Sequence, residues 1–394
     1  MSRDTEWVMA RKNRYHGLSF LKNACREAGD PQRDLRIVHI TGTNGKGSTV
    51  NYLRDILMSE GYRVGTFTSP HLQDHRDRIR LNGEWIPEET FSSLLKEYMP
   101  LIEKYDLGMF EIDCLLCFVW MKQMKADWLL LEAGLGGRLD NTNIIDKSAL
   151  SVITNTGMDH MQILGSRKAQ IAFEKAGIIK PDGKVISGEN DPVCRSVIRA
   201  HAARIRAGAS FLNAYRPAGT HVFRFQDERY EVQGAAYQKA NAALALYAAQ
   251  MLGVNIKKDS VKEAVRTSFW PARFERVRAN VILDGAHNTD GIRALCSSLQ
   301  GLPRPLTVVF SALKDKQVSE MAAMLDKNCD HLIMTYFENT RSEKGHADSG
   351  YTYIEDMREA VKRGIEEAGN TGTCVITGSL YFISIIREMF FEKT

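Results

Sequence analysis

Apolar residues in this chain come in short unbroken runs, each closed by glycine or polar residues and followed by a segment of helical periodicity. The runs at 35–40 (LRIVHI), 127–134 (DWLLLEAG), 149–157 (ALSVITNTG) and 183–189 (GKVISGE) place apolar side chains at successive positions rather than at alternate ones. A strand of that kind must be covered on both faces, as in a parallel sheet between helices. YRVGTFTS (62–69) reads as another strand. Helices are expected over 48–61, stopping at Gly61, and over 86–105, 109–125 and 166–179. Near 220 the pattern changes: HVFRFQDERYEVQG (221–234) alternates apolar and polar residues around a polar turn. That alternation predicts an antiparallel hairpin beside the main sheet.

A second strand–helix series follows SFWPARFERV (268–277). NVILDGAHN, LTVVFSALKD, HLIMTYF and TCVITGS read as strands, with helices at 290–300, 316–327, 353–368 and 379–390. The Trp270–Pro271 step is a candidate linker, because proline disfavours helix at the residue before it. The expected fold is α/β. It has an N-terminal P-loop-type ATPase domain (1–269) with a mainly parallel sheet and a small antiparallel hairpin, and a smaller Rossmann-like domain (270–394). Two such domains suggest a site in the cleft between them.

Composition narrows the function classes. The 394 residues are 44% hydrophobic and 25% charged, with a net charge of +4 and no dense Lys/Arg block. Nucleic acid is therefore not indicated as a partner. No apolar run is long enough to span a bilayer, and the first residues lack the apolar core of a signal peptide. A cytoplasmic protein is expected. Cys114 and Cys117 form the only C-x-x-C, inside the apolar run CLLCFVW. With no second pair or nearby histidine, they read as reduced core thiols.

Candidate chemistry begins at HITGTNGKGSTV (39–50), a glycine-rich turn between strand and helix. The strict P-loop spacing is missing, because Ile40 stands where the first glycine belongs. The physical parts are present. Glycines let the N–H groups of Thr43, Asn44, Gly45, Lys46, Gly47 and Ser48 converge on phosphate, and a helix begins there. Lys46 adds a charge that reaches the β and γ phosphates. ATP binding is expected, but the loop alone does not separate kinase, GTPase, ligase and transporter ATPase. Glu132, a carboxylate closing a buried strand, needs a partner. A metal ion and a plain salt bridge both fit.

The same order of motifs continues: FTSPHL, DRIRLNG, LEAGLGGRLDNTN, GMDH, FEKAGIIK, QKANAA, PARFE, LDGAHN and TGSLY. Together they resemble the folylpolyglutamate synthase/dihydrofolate synthase family of the Mur ligase superfamily, over the chain from about residue 35 onward. The resemblance implies an ATP-dependent ligase adding L-glutamate to a folate or dihydropteroate carboxylate through an acyl phosphate, with the two domains being the Mur central type and the glutamate ligase type. It implies two Mg²⁺ ions, with Ser69, Glu132 and His160 as metal ligands, and Lys46, Glu132, His160 and Lys175 as the catalytic residues. Lys175 aligns with a lysine that is carbamylated in the superfamily, although the neighbouring Glu174 leaves a plain salt bridge open. Asn241, Arg273 and Asp284 match ATP contacts. His287 and Asn288 are either further nucleotide contacts or a helix cap. Phe110 and Asp140 are the pterin candidates. Cys114 departs from the family's usual threonine, Asp113 is an added acid, and Arg78 is placed to fix a loop rather than the substrate. Members of the family act as monomers. Competing readings are another Mur-type amide ligase, or a P-loop kinase or regulatory NTPase. TSPHL and GLGGRLD argue against the first, and the broken loop spacing with DGAHN argues against the second.

Overall fold

The computed structural model describes residues 2–12, 14–213, 215–342 and 350–391. The main sheet contains β1 (Ile37–Thr41), β2 (Val64–Phe67), β3 (Ile79–Leu81), β4 (Glu84–Trp85), β5 (Trp128–Glu132), β6 (Leu150–Ile153), β7 (Lys184–Ser187) and β8 (Gly208–Phe211). Their order is β4-β3-β2-β5-β1-β6-β7-β8. Only the β2–β3 and β3–β4 pairs are antiparallel. Every residue of β1, β2, β5 and β6 is buried, as the unbroken apolar runs require. The helix Met109–Gln123 is buried on nearly all sides, which explains why its sequence has no polar face.

The alternating segment at 221–234 does form a hairpin, β10 (Val222–Phe225) with β11 (Glu228–Glu231). It does not extend the main sheet. With β9 (Tyr215–Pro217) it makes a separate three-stranded sheet in the order β11-β10-β9. One face of the hairpin carries Phe223, Phe225 and Tyr230 into the same core as the alanine-rich helix Gln238–Met251. The rings of Phe223 and Tyr230 stack 5.4 Å apart.

The third sheet contains β12 (Glu275–Arg278), β13 (Val281–Asp284), β14 (Leu306–Phe310), β15 (His331–Thr335), β16 (Thr352–Ile354) and β17 (Thr373–Thr377). Its order is β12-β13-β17-β14-β15-β16, parallel except for β12 against β13. Ile282, Val308, Phe310 and Val375 form its core with the helices Thr289–Leu299 and Val318–Asp326. The chain divides into two compact units, one comprising 1–218, 222–232 and 239–268, the other 219–221, 233–238 and 269–394. Among the described residues no helix is long and apolar enough to cross a membrane.

Within the first unit the strand register places the site. Ile40 on β1 lies beside Glu132 on β5, Leu131 on β5 beside Phe67 on β2, and Thr41 on β1 beside Ile153 on β6. The carboxyl ends of four neighbouring strands are therefore level. The glycine-rich loop, Ser69, Glu132 and Thr154 all emerge on one edge.

Candidate active site

Two glycines set the shape of the loop. A β-carbon on Gly42 would lie 1.7 Å from Thr154 Oγ1. Gly45 has φ +82° and precedes the helix Lys46–Ser59, and a β-carbon there would lie 2.3 Å from Asn241 Oδ1. The loop is held from β6. Thr154 Oγ1 donates to Asn44 O (2.6 Å), Asn44 N donates to Asn155 Oδ1 (3.0 Å), and Thr43 N donates to Asn155 O (3.0 Å). Thr43 Oγ1 accepts from Gly157 N at 2.9 Å. Sequence reasoning missed Thr154 and Asn155, although the polar residues closing the apolar run ALSVITNTG were a visible signal.

Lys46 folds back over the loop and donates to Gly42 O (3.1 Å) and Thr43 O (3.4 Å). Its ammonium lies 4.0 Å from Glu132 Oε1, and Glu132 is 2% exposed. The hydroxyls of Ser48 and Thr49 are buried at the helix start and have no hydrogen-bond partner among the described residues. A helix N-terminus, a lysine and two buried orphan hydroxyls are groups of the kind that suit phosphate oxygens.

Asn241, at the start of the helix Gln238–Met251, lines a cavity of about 560 Å³ beside this loop. Thr154, Asn155, Glu189, Leu212 and Tyr215 also line it. Glu189, another residue that sequence reasoning missed, is buried. Its Oε1 accepts from Asn190 N and Asp191 N, both at 2.8 Å, while Oε2 has no partner among the described residues. The pocket matches small-ligand sites in size and in its few convergent polar groups.

Ser69 follows β2. His160 follows β6 in left-handed backbone (φ 51°), exposed, with Nε2 3.9 Å from Asp159 Oδ1. Among the described residues no three His, Cys, Asp or Glu side chains converge as a metal group. The expected set contains only two such side chains, Glu132 and His160. Magnesium prefers hard oxygens and keeps waters. Glu132, a serine hydroxyl and phosphate oxygens fit it better than a protein cage would. Lys175, on Lys168–Ala176, is 2% exposed. Glu174 does not pair with it but bonds Arg138 at 2.9 Å. Burial first, and then the charge of Lys46, lower the Lys175 pKa to about 7.

Phe110 and Asp140 are brought together. A β-carbon on Gly134 would lie 2.8 Å from Phe110 Cζ and 3.4 Å from Asp140 Oδ2. Phe110 stands edge-on to Phe67, with ring centres 5.3 Å apart. Asp140 also shapes its own loop, accepting from Leu135 N (2.7 Å) and Thr142 N (3.0 Å). Burial raises its pKa. Asp113 is buried and bonded to His75 Nε2 at 2.7 Å, with Arg78 Nε 3.7 Å from its other oxygen. This network ties the segment after TSPHL to the helix Met109–Gln123, in keeping with a loop-fixing Arg78. Cys114 and Cys117 are buried free thiols with pKa values pushed up by burial, which suits core residues.

In the second unit Asp284 closes β13. Its carboxylate already accepts from Phe274 N (2.9 Å), Ala286 N (2.9 Å) and the Tyr237 hydroxyl (2.5 Å). Burial raises its pKa. Asn288 caps the helix Thr289–Leu299, accepting from Gly291 N at 2.8 Å, while His287 Nδ1 lies 2.9 Å from Gly285 O.

A glycine-rich strand–loop–helix with a strand-end carboxylate, followed by a second α/β unit, is an arrangement that suits an ATP-dependent ligase. Residues 40–250 match the Mur ligase middle domain and 272–380 the Mur ligase glutamate ligase domain. The chain is 35% identical to the dihydrofolate synthase/folylpolyglutamate synthase of Bacillus subtilis, with 94% of each chain covered. Escherichia coli FolC in complex with DHPP and ADP superposes with a TM-score of 0.89, at 26% identity, over 98% of this chain and 97% of that one. A bifunctional folylpolyglutamate synthase/dihydrofolate synthase with Mn, AMPPNP and L-glutamate bound gives 0.88, at 27% identity, over 99% and 98%. The chain belongs to the folylpolyglutamate synthase/dihydrofolate synthase family of Mur ligases, and is an ATP-dependent ligase.

Proposed function

We propose that the chain joins L-glutamate to the carboxylate of a folate or dihydropteroate while converting ATP to ADP and phosphate. The observation that carries this reading is the Lys46 loop with Glu132 beside it at 4.0 Å, in a chain of this family. The acceptor's carboxylate oxygen attacks the γ-phosphorus and ADP leaves. The glutamate amine then attacks the acyl carbon of the resulting acyl phosphate. Phosphate departs with the original carboxylate oxygen, and the amine loses a proton. Both steps develop negative charge on phosphoryl oxygens, so catalysis rests on positioning and fixed positive charge. Lys46 and the N–H groups of residues 43–48 hold the β and γ phosphates. Two magnesium ions, held by Ser69, Glu132 and His160 together with phosphate and water oxygens, would neutralise charge at the transferred group.

Lys175 is proposed to carry a carbamate. A buried amine whose pKa is near 7 is available to carbon dioxide at neutral pH. Asn241 and Asp284 are the proposed contacts for the nucleoside, and Arg273 for the phosphates. Phe110 offers a ring to stack on a pterin face, and Asp140 offers acceptors to its ring nitrogens.

Phosphate release from ATP tests the reading in separate arms: glutamate with dihydropteroate, glutamate with a reduced folate monoglutamate, and each component omitted. Release should require both glutamate and an acceptor. Release that ignores glutamate would rule out the ligase reading.

A further inference from the structure

Arg273 sits in an unusual stretch of backbone. Ala272 and Phe274, on either side of it, both have φ of 57°. Residues with a β-carbon avoid that left-handed region, and two of them flanking one residue must be held there by their surroundings. The restraints are visible. Ala272 N donates to Glu275 Oε2 (2.8 Å), Gly285 N donates to Ala272 O (2.8 Å), and Phe274 N donates to Asp284 Oδ2 (2.9 Å). Gly285 leaves the space in which the guanidinium lies, since a β-carbon there would stand 2.3 Å from Arg273 Nη1.

Glu275 is itself held from far along the chain. It is 4% exposed at the start of β12, and Arg387, 9% exposed on the helix Leu380–Phe391, donates from Nε to both its oxygens at 3.0 and 2.9 Å. A buried ion pair contributes little net stability compared with an apolar pair of the same volume, so its presence points to a role in fixing one geometry. Arg273, by contrast, has no ion pair with a carboxylate among the described residues. Its only hydrogen bond within them is a long one, from Nη1 to Ala272 O at 3.4 Å. Glu275 of this anchored pair lies two residues from Arg273, whose charge acts on the Asp284 carboxylate.

We propose that Glu275 and Arg387 are positioning residues for Arg273: the buried ion pair fixes the carboxylate that holds Ala272 in left-handed backbone, and that backbone aims the guanidinium. The proposal rests on the reading of Arg273 as a phosphate contact. Without the Glu275 restraint, Ala272 relaxes toward ordinary backbone and the aimed conformer is depopulated. Glycine at 272 removes the steric reason to relax.

The test uses the full chain and measures kcat/KM for ATP, KM for the folate acceptor and the melting midpoint. Glu275→Gln keeps an acceptor for Ala272 N but loses the charge that Arg387 holds. It should lower kcat/KM for ATP about tenfold and leave the acceptor KM unchanged, the size following from the left-handed preference. Adding Ala272→Gly to Glu275→Gln should recover most of that loss. If Glu275→Gln does not fold, Arg387→Lys, which keeps the charge at shorter reach, should show the same split and the same rescue. A variant that melts earlier but keeps its kcat/KM for ATP would overturn the proposal, because the pair would then only be bracing the fold. So would failure of Ala272→Gly to rescue. Arg273→Ala separates the two levels. If it leaves kcat/KM for ATP intact, the phosphate-contact reading fails and the positioning proposal falls with it. If it lowers kcat/KM for ATP and Glu275→Gln does not, only the positioning proposal fails.

Discussion

Lys175 offers the sharpest perturbation in the first unit. Its pKa is lowered from 10.5 to about 7, chiefly because it is buried. At neutral pH about half of its amines are uncharged, roughly a thousandfold more than for an ordinary lysine. Carbon dioxide reacts with the uncharged amine: nitrogen bonds to carbon, a proton leaves, and a neutral group becomes an anion. The unfolded chain binds more protons than the folded one between about pH 7 and 10.5. Stability should therefore rise with pH across that window and lose this slope in Lys175→Met. The assay compares enzyme prepared free of carbon dioxide with enzyme preincubated with bicarbonate. Turnover should increase with bicarbonate and saturate, and ¹³C-bicarbonate should give one new carbonyl resonance. Lys175→Met should lose turnover on the order of a hundredfold, lack that resonance, and ignore bicarbonate. Full activity without carbon dioxide, together with no labelled adduct, would refute the reasoning.

Glu132→Gln keeps the shape of the strand end and removes its charge. We expect kcat to fall by roughly a hundredfold or more, with a higher magnesium concentration needed for half-maximal rate in a metal titration. Phe110→Ala should raise KM for the pteroyl acceptor about tenfold while leaving KM for ATP unchanged, as measured by initial rates at saturating glutamate. Asp113→Asn strips the charge from the buried contact to His75 and Arg78. We expect a loss of about 1–3 kcal/mol, read from the urea midpoint. Unchanged stability would mean that the network does not brace the loop.

The strands that build the site were legible because burial on both faces leaves no room for polar positions. β1, β5, β6, β7, β13, β14, β15 and β17 all coincide with apolar runs in the sequence. The elements that escaped notice lie where that constraint is relaxed. β16 has three residues, none of them fully buried, and β12 is an edge strand with charged residues. The hairpin was recognisable from its alternation, but its sheet partner β9 ends in Pro217 and gives no periodic signal. The phosphate loop stood out because lysine between glycines at a helix start has little structural reason to be there. Ser69 and His160 could be named only through resemblance, since neither carries local chemistry strong enough to identify it. Thr154, Asn155 and Glu189 went unread because a polar residue after a buried strand is common, and only the fold shows that these three face the loop and its cavity.

The central claim is that the γ-phosphoryl group of ATP passes to the acceptor's carboxylate before glutamate attacks. An acceptor labelled with ¹⁸O in that carboxylate, turned over with ATP and unlabelled glutamate, tests it directly by mass analysis of the released phosphate. Transfer of one labelled oxygen to each phosphate formed is the result this account expects. Phosphate carrying no label would contradict it, because its fourth oxygen would then have come from water rather than from the acceptor's carboxylate.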